Sequence, residues 1–318
     1  MYDPPTGALG GLINEMTFFN GLPENKTETM ARMEELGSET TYNHYPAGWA
    51  HAMNTPFQWV KQVASHYGGT RNPLIISWPE KITSQYHGQM RNQWHHVIDI
   101  APTILEAVGI KPPSKINGVA QRAYEGTPLG YSFFDASVPG TRTRQYFEML
   151  GNRAIYDNDW VAATTPVDLP WASTGTGVDA INGYAWELYN EKDDPTQSNN
   201  IASKYPEKLA QLQTVFYEEA VKYNVLPIDN DKVARLDVTR RPSLTRGRRQ
   251  LTYYEGMIRT PEGASPDTKN KDFNVTAYVE VPSTNTTGVL ATFGGRFAGW
   301  TFYLKEGHLT YYYNLAGG

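Results

Sequence analysis

Residues 41–79 read TYNHYPAGWAHAMNTPFQWVKQVASHYGGTRNPLIISWP, and they carry the densest pattern in the chain. Thr55-Pro56 predicts the start of a helix, because proline is favoured at the first helical position, and the helix would run to about His66. Gly68-Gly69 predicts its end. The apolar run 73–79 is bounded by prolines, and it predicts a buried strand of a mixed sheet.

Helices are also predicted on both sides of this segment. Residues 27–36 begin with a threonine and stop at Gly37, which are common start and stop signals of a helix. Residues 99–109 predict another helix, with Asp99 as its cap. The order helix, strand, helix indicates part of an α/β sheet over residues 1–143.

From residue 144 onward the apolar residues alternate, which is typical of antiparallel strands. The predicted strands cover residues 145–150, 153–156, 160–163 and 184–190. Residues 157–159 supply the turn between the second and third of them. A helix follows, because five apolar or aromatic residues recur at three- and four-residue spacing. They are Leu209, Leu212, Phe216, Ala220 and Tyr223. Residues 144–228 therefore predict a small antiparallel subdomain with one helix.

The remaining segment, 229–318, is also rich in alternating strand patterns separated by glycine turns. The predicted strands are 251–254, 275–281, 288–297, 300–304 and 309–315. They predict a partial β-sandwich or jelly-roll tail. The expected fold class is thus α/β, with a small antiparallel C-terminal subdomain, followed by a β-sandwich segment.

Composition excludes several classes of function. The chain has 318 residues and a mass of 35.7 kDa, which is enough for two domains with a real core. A net charge of −5 argues against general nucleic-acid binding. Mean hydropathy is −0.53, and no run approaches the roughly eighteen apolar residues of a membrane span. We therefore expect neither a nucleic-acid partner nor a membrane segment.

The pattern in residues 41–79 resembles the second half of a type I sulfatase, in particular a bacterial arylsulfatase of the alkaline-phosphatase superfamily. The resemblance rests on the aromatic residues of 42–57, on Lys61, and on the Gly-Gly-Thr-Arg turn of 68–71. It implies hydrolysis of sulfate esters by a formylglycine nucleophile and calcium in the complete enzyme. It leaves the compartment open between periplasm and cytoplasm.

Several features that the resemblance requires are missing from the sequence. The chain has no cysteine, so a formylglycine made from a Cys-x-Pro-x-Arg motif is excluded. Ser77-Trp78-Pro79 and Ser137-Val138-Pro139 have a serine two residues before a proline but lack the terminal arginine. The paired aspartates and the Asp-Asn pair that bind calcium in the family are not recognisable either. We therefore expect no metal or cofactor on this chain, and we expect it to be a fragment that is inactive alone.

The resemblance assigns roles to five residues. Lys61 is expected to contact the sulfate, where its ammonium would act as a point charge, and His66 is a second catalytic candidate. His44 and His51 are expected to contact the substrate. Arg71 is a further substrate-binding candidate, unless it holds the turn or a nearby carboxylate. A solvated lysine at Lys61 and a packing role for His66 are the structural alternatives.

Three functions remain open at this stage. The first is an arylsulfatase acting on a small sulfate ester or a sulfated glycan. The second is a non-catalytic module that keeps a sulfatase scaffold and binds sulfated glycans or a partner. The third is a phosphonate or phosphodiester hydrolase of the same superfamily. Self-association is also expected, because an incomplete sheet would leave the apolar residues 74–76 uncovered.

Overall fold

The computed structural model describes residues 26–40, 47–170, 177–232, 234, 242–295 and 298–314. His44 lies outside these residues. The chain divides into two compact units, one made of Met1–Ala50 with Lys232–Gly318 and the other of His51–Asp231. The three-part division at residues 143 and 228 stays a prediction.

The described α-helices are α1 (Lys26–Ala31), α2 (Ala47–Asn54), α3 (Tyr67–Thr70), α4 (Ile100–Ala107) and α5 (Pro206–Lys222). Short 3-10 turns occupy Met33–Glu35, Ser84–Tyr86, Val97–Asp99, Gly130–Ser132 and Glu262–Ala264. Of the helices in the described part of the chain, none is both long and apolar enough to span a membrane.

The strands form three separate antiparallel sheets. The smallest pairs β1 (Lys115–Ile116) with β2 (Val119–Ala120). The second has the order β3 (Arg144–Met149), β4 (Asn152–Asp157), β5 (Trp160–Thr164) and β6 (Trp186–Asn190). The third has the order β7 (Gly288–Gly294), β8 (Gly299–Lys305) and β9 (His308–Asn314).

The four-stranded sheet is the centre of the second unit, and both of its faces are buried. Because successive side chains of a strand point to opposite faces, each strand contributes to two cores. One face carries Ile155, Ala162 and Leu188, which pack against Leu212 and Phe216 of α5. The other face carries residues Ala154, Tyr156, Val161, Ala163 and Tyr189, which pack around Tyr67. The predicted strands of 144–190 and the predicted helix with its apolar stripe are confirmed.

The hairpins of this sheet fix its register through residues with positive φ. Asn158 and Asp159 join β4 to β5 with φ of 49° and 68°. Leu150 and Gly151 join β3 to β4 with φ of 55° and 87°. Positive φ at both central residues is what two-residue type I′ hairpin turns require. The predicted turn at 157–159 is confirmed.

The predicted helix from Thr55 to His66 is wrong. The helix lies earlier, at α2, and residues 55–66 form turns. Trp59 and Gln62 have φ of 64° and 79°, which a right-handed helix does not allow. The two glycines do not terminate a helix, because both lie within α3.

The predicted buried strand at 73–79 is also wrong. Residues 71–78 carry no regular secondary structure, and Leu74, Ile75 and Ile76 are exposed. No described strand lies beside the segment, so its backbone groups have no ladder to join.

The predicted helix over 99–109 is confirmed as α4, but Asp99 does not cap it with its side chain. The Asp99 carboxylate is fully buried, and it pairs with Arg142 and accepts bonds from the backbone N–H groups of His96 and Thr127. An ion pair inside the fold therefore replaces the expected helix cap.

In the first unit, the predicted strands near the chain end are confirmed as β7, β8 and β9. Residues 251–254 and 275–281 carry no strand, because no other described backbone pairs with them. Trp300 of β8 is the buried residue of this sheet, and its ring lies near Phe273 and Phe293. One three-stranded sheet is present in the described part of 242–314, so the expected β-sandwich is not confirmed.

Candidate functional site

Residues 57–71 form a compact turn that lies on one face of the four-stranded sheet. Gly68 and Gly69 make this possible, because their backbone lies directly against the preceding chain. A Cβ atom on Gly68 would overlap the carbonyl oxygens of Gln58 and Trp59, and one on Gly69 would overlap that of Val63. The glycines are thus required for close backbone approach. We call residues 57–71 the glycine turn.

His66 joins the glycine turn to strand β6 through a buried hydrogen-bond chain. Its Nε2 lies 3.0 Å from Oε2 of Glu187, and its Nδ1 lies 2.9 Å from Oγ of Ser65. Since an ionised carboxylate only accepts hydrogen bonds, Nε2 carries a hydrogen and donates the hydrogen bond to Glu187. Nδ1 then accepts from the Ser65 hydroxyl. The His66 side chain has no solvent exposure, so it is not presented at a pocket rim.

Glu187 is the acceptor for three donors. Besides His66, the hydroxyl groups of Thr165 and Tyr189 donate to its carboxylate. Burial by itself raises the pKa of the Glu187 carboxyl, but the three hydrogen bonds outweigh it and lower the pKa to about 2. The carboxylate therefore stays ionised at neutral pH and fixes the orientation of the imidazole.

A second set of contacts fixes the end of the glycine turn to Glu191. The Tyr67 hydroxyl donates to Oε2 of Glu191 at 2.8 Å, and Nη1 of Arg71 lies 3.3 Å from Oε1. Arg71 also donates to the carbonyl of Pro195. Burial raises the pKa of Glu191, and the contacts with Tyr67 and Arg71 offset this only in part. The guanidinium of Arg71 thus faces a protein carboxylate.

Arg71 also lies over two aromatic rings, and Gln197 completes the attachment. The guanidinium carbon is 5.2 Å from the ring centre of Phe57 and 5.4 Å from that of Tyr67. The side-chain oxygen of Gln197 accepts the backbone N–H of Tyr67 at 2.7 Å, and the Gln197 carbonyl accepts from the side chain of Gln58. The glycine turn is therefore held by charged, polar and aromatic contacts together.

Lys61 lies on the outer side of the same turn. The neighbouring Val60 and Val63 are buried, while the Lys61 side chain is exposed and makes no ion pair with any described residue. Its ammonium is therefore available to an anion from solution. His51 is exposed in α2, and its side chain makes no hydrogen bond with another described residue.

The structure thus brings His66 and Arg71 together with two glutamates, Glu187 and Glu191, that sequence reasoning missed. The alternation of β6 indicates that Glu187 and Tyr189 share a face. It does not indicate the partner, since His66 lies 121 positions away in the sequence. Glu191 directly follows the end of β6, and nothing in the sequence around it indicates that it contacts Tyr67 and Arg71.

The described residues do not fit the calcium and formylglycine that the sulfatase family generally uses. No group of three or more histidine, aspartate or glutamate side chains that could hold a metal occurs among the residues the structure describes. The sequence has no cysteine to convert into formylglycine. What this part of the chain offers is a compact turn whose Lys61 is exposed and makes no ion pair with any described residue.

Comparison with known proteins finds a family match for residues 31–110. Residues 31–110 match the family described as Sulfatase. An uncharacterized sulfatase of Schizosaccharomyces pombe is 26% identical over 237 residues, covering 72% of this chain and 38% of that relative. The chain therefore spans well under half the length of the curated relative.

Three solved structures are also similar. The first is BT33336S-sulf, whose structure is described under the metabolism of multiple glycosaminoglycans by Bacteroides thetaiotaomicron. It is 19% identical with a TM-score of 0.36, and the match covers 50% of this chain and 31% of that chain. BT4656, in complex with its substrate D-glucosamine-2-N,6-O-disulfate, is 20% identical with a TM-score of 0.29, covering 41% and 25%. Ps i-CgsB is 14% identical with a TM-score of 0.40, covering 76% and 54%. All three TM-scores are low, so none of them decides what this chain binds.

The match includes the whole glycine turn and ends just after α4. The resemblance of residues 41–79, the matched region 31–110 and the curated relative agree, and all three relate this part of the chain to the sulfatase family.

Proposed function

We propose that this chain is part of an arylsulfatase-type sulfate-ester hydrolase, and that a longer protein supplies the nucleophile and the metal. The observation that carries the proposal is the position of Lys61. It lies within the matched residues 31–110, on a rigid turn, with its ammonium exposed. The substrate class would be a small sulfate ester or a sulfated glycan.

In this proposal Lys61 stabilises the negative charge that grows on the sulfate group during cleavage of the ester. A lysine ammonium is a compact point charge, and a preorganised charge stabilises a transition state because it need not reorient during the reaction. The close backbone approach at Gly68 and Gly69 limits movement of the turn that carries the lysine.

His66 and Arg71 act as positioning residues rather than substrate contacts in this proposal. Nε2 of His66 lies 3.0 Å from Oε2 of Glu187 in β6, and Nη1 of Arg71 lies 3.3 Å from Oε1 of Glu191, just after β6. They attach the glycine turn to the sheet and so determine where Lys61 points. His51, exposed on α2, remains a proposed substrate contact.

The test is the substrate preference of the full-length protein that carries this chain. We expect hydrolysis of p-nitrophenyl sulfate to exceed hydrolysis of bis(p-nitrophenyl) phosphate and of p-nitrophenyl phosphonate esters. The 318-residue chain alone serves as the control and should show no turnover. Faster hydrolysis of either phosphorus ester would favour the phosphodiesterase or phosphonate hydrolase reading instead.

A further inference from the structure

Lys61 and Gln62 form the tip of a β-turn between two buried valines. The backbone N–H of Val63 donates to the carbonyl of Val60 at 3.1 Å, and this hydrogen bond closes the turn. Val60 and Val63 are 5% and 1% exposed, so both ends of the turn are buried. Lys61 has a negative φ, whereas Gln62 has a φ of 79°. A negative φ followed by a φ near +80° is typical of a type II turn.

Gln62 occupies the position of this turn that favours glycine. The position requires a positive φ, which glycine adopts without the steric cost that a Cβ atom causes. Trp59, two residues before Lys61, also has a positive φ, of 64°. Residues with large side chains are uncommon in this conformation, and where they occur they cluster at binding and active sites. The strained backbone on both sides of Lys61 therefore points to a reason for keeping a side chain at Gln62.

Neighbouring contacts hold this strained backbone in place. Nδ2 of Asn54 donates to the carbonyl oxygen of Trp59 at 3.0 Å and also to that of Gly68. The backbone N–H of Gly68 donates in turn to the carbonyl of Gln58 at 3.0 Å. Strained conformations persist only where the surrounding structure determines them in this way. The glycine turn therefore presents the two side chains of its tip from a fixed backbone.

The side-chain amide of Gln62 makes no hydrogen bond with any residue that the structure describes. Gln62 is half-buried, but its amide atoms are not among the buried polar atoms that lack a partner, so the amide reaches the surface. An amide NH2 group carries two hydrogen-bond donors, and the oxygens of a sulfate group are acceptors. The tip of the turn therefore offers an accessible amide next to the exposed Lys61.

We propose that Gln62 is a second substrate contact, whose amide donates a hydrogen bond to the sulfate ester that Lys61 binds. This inference rests on the proposed function and adds a residue to the same site. Lys61 supplies the positive charge, and the amide supplies a directed donor to a charged acceptor. Glycine at this position would relieve the backbone strain but would lose the donor. The protein thus keeps glutamine for binding at a cost in stability.

Gln62→Gly tests the proposal, because it should change stability and activity in opposite directions. In the full-length protein that carries this chain, the variant should raise the melting temperature by roughly 1–3 °C. It should lower kcat/KM for p-nitrophenyl sulfate about tenfold, the effect of losing a hydrogen bond to a charged group. Gln62→Glu should lower kcat/KM further, because a carboxylate repels the sulfate. Glu306→Gly is the matched control, since Glu306 also has a positive φ, of 50°, and it should leave kcat/KM unchanged.

The variants separate a failure of this proposal from a failure of the proposed function. Unchanged kcat/KM in Gln62→Gly, together with lost turnover in Lys61→Ala, would overturn the role of Gln62 and leave the proposed function standing. Unchanged kcat/KM in both variants would contradict both. A melting temperature of Gln62→Gly well below that of the wild-type protein would also overturn the proposal, because the glutamine side chain would then stabilise the fold.

Discussion

The hydrogen bonds that the Glu187 carboxylate accepts from His66, Thr165 and Tyr189 make a pH-dependent contribution to stability that a single substitution should remove. The Glu187 side chain is 16% exposed, and its pKa is lowered from 4.5 to about 2. Such a shift corresponds to about 3 kcal/mol in favour of the folded state. Because the folded pKa is the lower one, this contribution is present above about pH 4.5 and is lost as the pH falls toward 2.

Glu187→Gln keeps the shape of the side chain but removes its charge. We expect the variant to be less stable than the wild-type protein by about 3 kcal/mol at pH 7, because the bonds from the three donors lose their ionic character. The difference should shrink as the pH approaches 2. Urea unfolding monitored by circular dichroism at several pH values measures the free energy of unfolding of the wild-type protein and of the variant. A difference of similar size at pH 7 and pH 2.5 would refute the assigned role of the carboxylate.

The other predictions concern packing, a buried charge and the isolated chain. Gly68→Ala should lower the free energy of unfolding by about 3 kcal/mol, because the new Cβ overlaps backbone carbonyls, whereas Gly48→Ala, with open space around it, should be neutral or slightly stabilising in thermal unfolding. Asp99→Asn should cost about 3 kcal/mol or more by the same measurement, because it leaves the Arg142 guanidinium without its buried counter-charge; a loss below about 1 kcal/mol would contradict this. The 318-residue chain alone should show no stoichiometric calcium site by calorimetry and negligible turnover of p-nitrophenyl sulfate, and chelator-sensitive turnover would contradict the fragment proposal.

The antiparallel subdomain could be predicted from sequence because its signals are local. Alternation marks β4, β5 and β6, the stripe through Leu212 and Phe216 marks α5, and Asn158-Asp159 marks a tight hairpin. Each of these signals lies within a few residues of the structure it specifies. The predicted helix over 55–66 failed because a proline start and a glycine stop are also compatible with a chain of turns, and the positive φ at Trp59 and Gln62 leaves no sequence mark.

The predicted strand at 73–79 failed for a different reason. An apolar run between prolines indicates a strand only where another strand lies beside it, and none of the described residues provides one. The site shows the same dependence on distant partners. Lys61, His66 and Arg71 could be named from the sequence, but Glu187 and Glu191 could not, since their roles depend on contacts across more than a hundred positions.

The position of Lys61 is the central claim, and turnover of p-nitrophenyl sulfate by the full-length protein tests it most directly. Lys61→Ala should lower kcat/KM by roughly a hundredfold or more without changing the melting temperature, because it removes one charge-stabilising donor from an exposed site. Lys81→Ala, at another exposed lysine, should leave both values unchanged. Near-normal turnover in a folded Lys61→Ala variant would contradict the account.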